Sequence, residues 1–277
     1  MISPILQDDA FLKDVQNAPN NQLNLWWLGQ SGYLIRWQNH HLLLDPYLSD
    51  SLTRKYAGTD KPHIRMTERI IEPSQLNFID AVTSTHNHTD HLDAETLGPL
   101  LSANPALKVI VPRANLAFAA DRLGVQASRL TPIQTNGASI QIGPFTFFAV
   151  PSAHETLQVD GNGDHKFIGY IIQVAGKTLY HSGDACLYDG LVNTLKSWRI
   201  DVAFLPINGR DPARGVAGNF TAHEAVDLGE EIGAKCVIPC HYHMFEFNSV
   251  SPDAFKIYAL HRNVPHRILQ CGERLSI

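Results

Sequence analysis

Thr85-His86-Asn87-His88-Thr89-Asp90-His91-Leu92-Asp93 places three histidines and two aspartates in the eight positions that follow the threonine. The run before it, residues 78–84, reads as a β-strand. Residues 94–101 after it open as a helix. The cluster therefore falls on a loop leaving the carboxyl end of a strand, where open α/β sheets place their sites. Imidazole nitrogens and carboxylate oxygens are ligands that suit zinc, manganese and iron. Residues two apart in an extended chain point the same way, so His86 and His88 can grip one ion together. Asp90 and His91, turned by the start of the helix, can reach a second ion beside it. Four ligands on one loop do not close two coordination shells. The reading therefore requires further ligands downstream.

Three strand ends supply them. Residues 138–142 and 144–150 read as a hairpin around Gly143-Pro144, and it delivers His154 ahead of a polar, glycine-rich loop at 160–164. Residues 167–174 and 177–180 form the next hairpin, which runs into His181-Ser182-Gly183-Asp184. A carboxylate on such a tight turn can bridge two cations with its two oxygens. Residues 235–239 read as a strand whose end presents Cys240-His241-Tyr242-His243.

Elsewhere the pattern is that of an α/β chain. Asp8 or Asp9 can cap a short helix carrying Phe11, Leu12 and Val15 on one face. Residues 23–28, 33–37 and 41–45 read as a strand meander. Trp26 and Trp27 read as packing residues. Residues 48–77 show no clean period, and so long an irregular segment beside a metal loop is expected to wall the site. Tyr47, Arg54, His63 and Arg65 are its substrate-side candidates. Residues 108–111 are a buried strand, 115–123 a helix closed by Gly124, 191–195 a helix and 200–206 a strand. Thr221-Ala222-His223-Glu224 is a capping box. It opens a helix that runs to Ile232 and puts Ala225, Leu228 and Ile232 on one face. A helix at 252–260 and a strand at 267–269 complete the reading.

The 277 residues suffice for one layered domain, with residues 1–22 as an N-terminal extension. Hydrophobic residues make up 44 % and charged residues 18 %, which excludes a disordered chain. A net charge of −5 argues against a nucleic-acid partner held by a basic surface. The first residues show no signal peptide, and no run is long enough for a membrane span, so a cytoplasmic location is expected. The four cysteines form no Cys-x-x-Cys pair and are expected to be reduced.

The order His-x-His-x-Asp-His, then His, Asp and His, resembles the metallo-β-lactamase superfamily over residues 23–271. The resemblance implies a four-layer αββα sandwich of two similar halves, with two divalent metal ions (zinc or manganese, with iron also allowed) at one edge. It implies His86, His88 and His154 on one metal, Asp90, His91 and His241 on the other, and Asp184 between them. A narrower similarity is to the bacterial L-ascorbate-6-phosphate lactonase group. It is carried by Trp26-Trp27-Leu28-Gly29, Ile79-Asp80-Ala81-Val82, Tyr180-His181-Ser182-Gly183-Asp184, Ile200-Asp201-Val202-Ala203, Pro212-Ala213-Arg214-Gly215 and Ala234-Lys235-Cys236-Val237-Ile238-Pro239.

The chemistry implied is hydrolysis of a lactone or ester, that of a phosphorylated sugar acid included, by a metal-activated water. Asp90 is expected to orient that water and shuttle its proton. His243, two residues from His241, is expected to face the same pocket and either protonate the leaving oxygen or contact the substrate. Arg214 and Arg210 lie on a loop near a helix start, and their guanidinium forks suit an anionic substrate. His181 is a further substrate-side or supporting candidate. The expected partner is a small molecule, anionic or phosphorylated ones included, and a homo-oligomer is compatible with the residues. A phosphodiesterase on the same scaffold is the alternative. A non-catalytic metal- or ligand-binding protein and a nuclease are disfavoured by the complete ligand set and the acidic balance.

Overall fold

Runs of branched and aromatic residues fold here into two sheets that share one core. The computed structural model describes residues 1–277. Helix α1 (Asp8–Asn17) precedes a meander of β1 (Asn24–Gly29), β2 (Gly32–Trp37) and β3 (His40–Leu44). The short helix α2 (Ser51–Lys55) is followed by β4 (Ala81–Thr83), α3 (Ala94–Ala103), β5 (Lys108–Pro112), α4 (Leu116–Leu123) and β6 (Leu130–Ile133). A second meander comprises β7 (Ile140–Ile142), β8 (Phe145–Pro151), β9 (Ile168–Val174) and β10 (Lys177–His181). Then come α5 (Leu191–Lys196), β11 (Val202–Pro206), α6 (Ala222–Glu231), β12 (Val237–Cys240), α7 (Asp253–Arg262) and β13 (Arg274–Ser276).

The seven-stranded sheet has the order β13-β1-β2-β3-β4-β5-β6, and the six-stranded sheet β12-β11-β10-β9-β8-β7. Each half repeats one scheme: an antiparallel meander, then parallel strands reached through helical crossovers. β1, β3, β4 and β5 consequently run the same way, as do β8, β10, β11 and β12. Their carboxyl ends lie at one edge of the sandwich, and that edge holds every residue of the site.

Burial on both faces explains the near-continuous apolar runs, such as the fully buried β1 and β11. Across the sheets, the Tyr33 ring packs on Phe204 at 4.2 Å, and the Tyr170 hydroxyl donates to the carbonyls of Ser84 and Ile110. Each such large side chain contributes about 1.5–3 kcal/mol when it is withdrawn from water. Helix α4 lies on β5 and β6, and α6 lies on β11 and β12, which gives the four-layer αββα sandwich. Phe11 and Val15 of α1 are buried in the same core. No helix is long and apolar enough to cross a membrane.

One strand expectation changes, and one strand, β6, lies outside the expected set. Residues 267–269 are not a strand: His266 makes a single bridge to Val237, and the Arg267 amide donates to the Val237 carbonyl. The chain then turns at Gly272, and β13 pairs with β1 instead. Strand β6 escaped the sequence reading because Pro132 interrupts its pattern. It forms because it is the sheet edge, where a missing N–H leaves no ladder bond unmade. The capping box is as expected: Thr221 accepts from the Glu224 amide, and Glu224 accepts from that of Thr221. Between β3 and β4, residues 48–77 form α2 and a short 3-10 turn. The segment is pinned by Arg65, which pairs with Asp50 at 2.7 Å.

Candidate metal centre

Strand β4 ends at Thr83, and the loop after it carries His86, His88, Asp90 and His91. Asp93 then caps α3 by accepting from the Glu95 amide. From the other sheet, His154 follows β8, Asp184 follows β10 and His241 follows β12. These seven side chains converge as two groups. His86, His88, His154 and Asp184 form one; Asp90, His91, Asp184 and His241 form the other. Within each group the ligand atoms lie within 4.8 Å of one another. Asp184 belongs to both, with Oδ1 at 3.2 Å from His91 Nε2 and Oδ2 at 3.3 Å from His241 Nε2 and 3.6 Å from His154 Nε2.

The donor set fits divalent cations. His86 Nε2, His91 Nε2 and Asp184 Oδ1 are buried and have no hydrogen-bond partner. A buried polar atom left unpaired costs about 1–3 kcal/mol, so converged orphans of this kind are explained by a cation that all of them face. The nitrogen and oxygen donors, with no thiolate among them, suit zinc, manganese or iron.

The opposite ring nitrogens are held by the protein. His91 Nδ1 donates to Asp45 Oδ2 at 2.7 Å, and His154 Nδ1 donates to the Gly218 carbonyl at 2.7 Å. Each contact fixes a tautomer and turns Nε2 toward the site. Asp45 is fully buried and also accepts from the Thr85 amide, the Thr85 hydroxyl and the Thr83 hydroxyl. Burial alone would raise its pKa, but the His91 hydrogen bond and nearby imidazoles hold it below the ordinary value. Gln30, at the exit of β1, donates its side-chain amide to Asp90 Oδ2 at 2.8 Å, and its carbonyl accepts from the His241 amide. Neither Asp45 nor Gln30 was singled out from the sequence. Each is a buried polar residue directly after a strand, the one signal that marks them.

The charges of the cage are mutually supporting. Burial opposes protonation of His241, but Asp184 and Asp90 outweigh it and push the imidazole up to about 9. The same carboxylates, against the same burial, raise His91. His86 moves the other way: burial, then the neighbouring His91 and His88, lower it. Gly183 makes the turn possible. Its φ is +60°, and a Cβ there would lie 2.5 Å from Thr85 Oγ1.

A cavity of about 370 Å³ opens over the site, lined by His88, Asp90, His154, Asp184 and His241 among others. Of the expected catalytic and substrate-side residues outside 48–77, His243, His181, Arg210 and Arg214 are not on its wall. His241 and His243 have φ of +63° and +55°, so the segment is not extended and the two rings diverge. His243 instead lines a second cavity with Trp27 and Thr67, not the one over the ligand groups. His181 is fully buried. Its Nε2 donates to the Ser31 carbonyl and its Nδ1 accepts from the Gly183 amide, so it supports the Asp184 turn. Arg210 is clamped by both oxygens of Glu224, and Arg214 donates to Asn248 Oδ1 and the Asn208 carbonyl. From residues 48–77, His63 reaches the cavity. Arg54 pairs with Glu95, Arg65 with Asp50, and Tyr47 is buried in a small cluster with Phe245. Lys55, Lys61 and Arg122 are the cations on the wall, and a sequence pattern offers no signal for them.

Comparison with known proteins agrees with this architecture. Residues 40–242 match the family described as "Beta-lactamase superfamily domain". A protein named probable L-ascorbate-6-phosphate lactonase UlaG, from Escherichia coli O127:H6, is 24 % identical, with 89 % of this chain and 76 % of that protein covered. Isothiocyanate hydrolase from Delia radicum gut bacteria superposes with a TM-score of 0.73 at 17 % identity, over 92 % of this chain and 99 % of that one. The metallo-beta-lactamase fold protein YhfI from Bacillus subtilis superposes with a TM-score of 0.66 at 18 % identity, again over 92 % and 99 %. With the family match spanning most of the chain and the two-sheet fold shared, this protein belongs to the metallo-β-lactamase superfamily.

Proposed function

We propose that this chain hydrolyses a lactone or ester of a small molecule, that of a phosphorylated sugar acid included, at a centre of two divalent cations. The observation that carries the reading is Asp184, whose two oxygens face the histidines of both ligand groups. In this reading His86, His88 and His154 would hold one cation, Asp90, His91 and His241 would hold the other, and Asp184 would serve both. When bound, such cations supply Lewis acidity at the attacked centre and make water a nucleophile near neutral pH.

The chain's own residues orient and protect that chemistry. Asp45 and the Gly218 carbonyl present His91 and His154 in the ligating tautomer. Gln30 holds Asp90 by Oδ2, which leaves Oδ1 without a hydrogen bond within the protein. Burial opposes the charge on Asp90, but the neighbouring His91 and His241 outweigh it and hold its pKa below the ordinary carboxylate value. Its free Oδ1 can take a hydrogen bond from the attacking water and receive its proton. Similarity to the Escherichia coli lactonase over most of both chains favours a carbonyl carbon over phosphorus as the attacked atom.

The test loads the protein with zinc or manganese and compares a sugar-phosphate lactone with bis-p-nitrophenyl phosphate. Turnover of the lactone is expected. Turnover of the diester alone would replace the lactonase reading with a phosphodiesterase.

A further inference from the structure

One wall of the cavity is built by Leu52, Lys55, Tyr56, Lys61 and His63. The only carboxylates lining the cavity are Asp90 and Asp184, both in the ligand set. The arginines of the same segment that do not line it are neutralised, Arg54 by Glu95 and Arg65 by Asp50. The two lysines that do line it are not. Lys55 makes no ion pair or hydrogen bond and lies over the Tyr56 ring at 5.1 Å. Lys61 donates to the Gly215 carbonyl at 2.5 Å and faces no carboxylate. Beside them, Tyr56 and His63 stack at 4.4 Å, and Phe245 meets the His63 ring edge-on at 5.1 Å. Two uncompensated ammonium groups thus share a small cavity in a chain of net charge −5.

We propose that Lys55 and Lys61 form a subsite for the dianionic phosphate of a small phosphomonoester, which selects the substrate by the end remote from the reacting bond. Two compact ammonium charges act as point charges that suit a phosphate dianion, which carries twice the charge of a carboxylate. Arg122, the third cation of the wall, donates through Nη1 to the carbonyls of Asn87 and Leu92 and so anchors the ligand loop. The aromatic face gives the body of the molecule a flat surface to lie on. The proposal rests on the hydrolase reading for the fate of the substrate, but not for the binding of the phosphate.

The test is therefore a binding measurement on the metal-loaded protein. By calorimetry, 6-phosphogluconate is compared with gluconate, which shares its carboxylate and hydroxyls and lacks the phosphate. Wild type is expected to bind the phosphorylated acid about tenfold or more tightly. The Lys55→Gln/Lys61→Gln double variant should lose about tenfold or more of that preference, and Lys55→Arg/Lys61→Arg should recover most of it. Equal binding of the two acids by wild type, or no binding of the phosphorylated one, would overturn the proposal. So would a phosphate preference that survives the double variant, because the phosphate would then sit on the cations. Lactone turnover is assayed in the same preparation. Its absence would sink the hydrolase reading and leave the binding result to judge the lysines.

Discussion

Asp45→Asn is the sharpest probe of how the site is held. Asp45 hydrogen-bonds one ligand directly, His91, and reaches His86 only through the Thr85 hydroxyl, which lies 3.1 Å from His86 Nδ1. Its Oδ2 accepts from His91 Nδ1, the Thr85 amide and the Thr85 hydroxyl, and its Oδ1 accepts from the Thr83 hydroxyl. An asparagine can keep its oxygen on the three donors and turn its amide toward Thr83, whose hydroxyl can rotate to accept. The fold should then survive while the charge behind His91 is lost. Loss of such a partner behind a ligating histidine typically costs about 10–100-fold in metal affinity. Asp45→Ala is harsher. It strands the Thr85 amide and His91 Nδ1 in a dry site at about 1–3 kcal/mol each, a large share of the roughly 5–15 kcal/mol that holds a domain together. The assay is competition with a chromophoric chelator. Asp45→Asn should weaken one of two binding steps and leave the other within a few-fold. Asp184→Ala removes the carboxylate common to both groups and should weaken both. If Asp45→Asn weakened both steps equally, or neither, the idea that Asp45 acts through His91 would be wrong.

Three further outcomes follow from the structure. Gly183→Ala puts a Cβ at φ +60° and 2.5 Å from Thr85 Oγ1; it should cost about 1–3 kcal/mol from overpacking and lower metal content, and a variant with wild-type melting and metal content would refute the packing argument. Thr221→Ala removes half of the capping box of α6 and should destabilise by about 1 kcal/mol, read from the denaturant midpoint with an unchanged slope. His41 is lowered to about 4, by burial and then by Arg36. The unfolded chain therefore binds its proton from about 6.5 downward while the folded chain does not, so stability rises with pH across that window and is lost as pH falls toward 4. Denaturant titrations of chelator-treated protein between these values should show a shallower slope for His41→Gln than for wild type; equal slopes would remove His41 as the cause.

What could be read without the fold was whatever the chain encodes locally. The cluster from His86 to His91 lies within one turn of loop, and His154, Asp184 and His241 each follow a strand whose apolar run announces it. The capping box at Thr221 and the αL glycine at 124 are equally local. Strand β6 was hidden by Pro132, which only an edge position tolerates.

The rest depends on which strand exits become neighbours, and only the two-sheet stacking decides that. Asp45 reaches His91 across a parallel pair, and Gln30 reaches Asp90 from the first meander, contacts separated by dozens of residues. Whether a cation is free for substrate depends on which acid lies beside it: Arg210 and Arg65 are neutralised by distant carboxylates, while Lys55 and Lys61 are not. His243 shows the limit most clearly, because two-residue spacing places rings together only on an extended backbone, and the left-handed turns at 241 and 243 send them into different cavities. Ligand identity is a property of residue type and strand-end position, and it survives in one dimension. Orientation, burial and charge balance are set by contacts between remote segments, and they exist only once the sheets have packed.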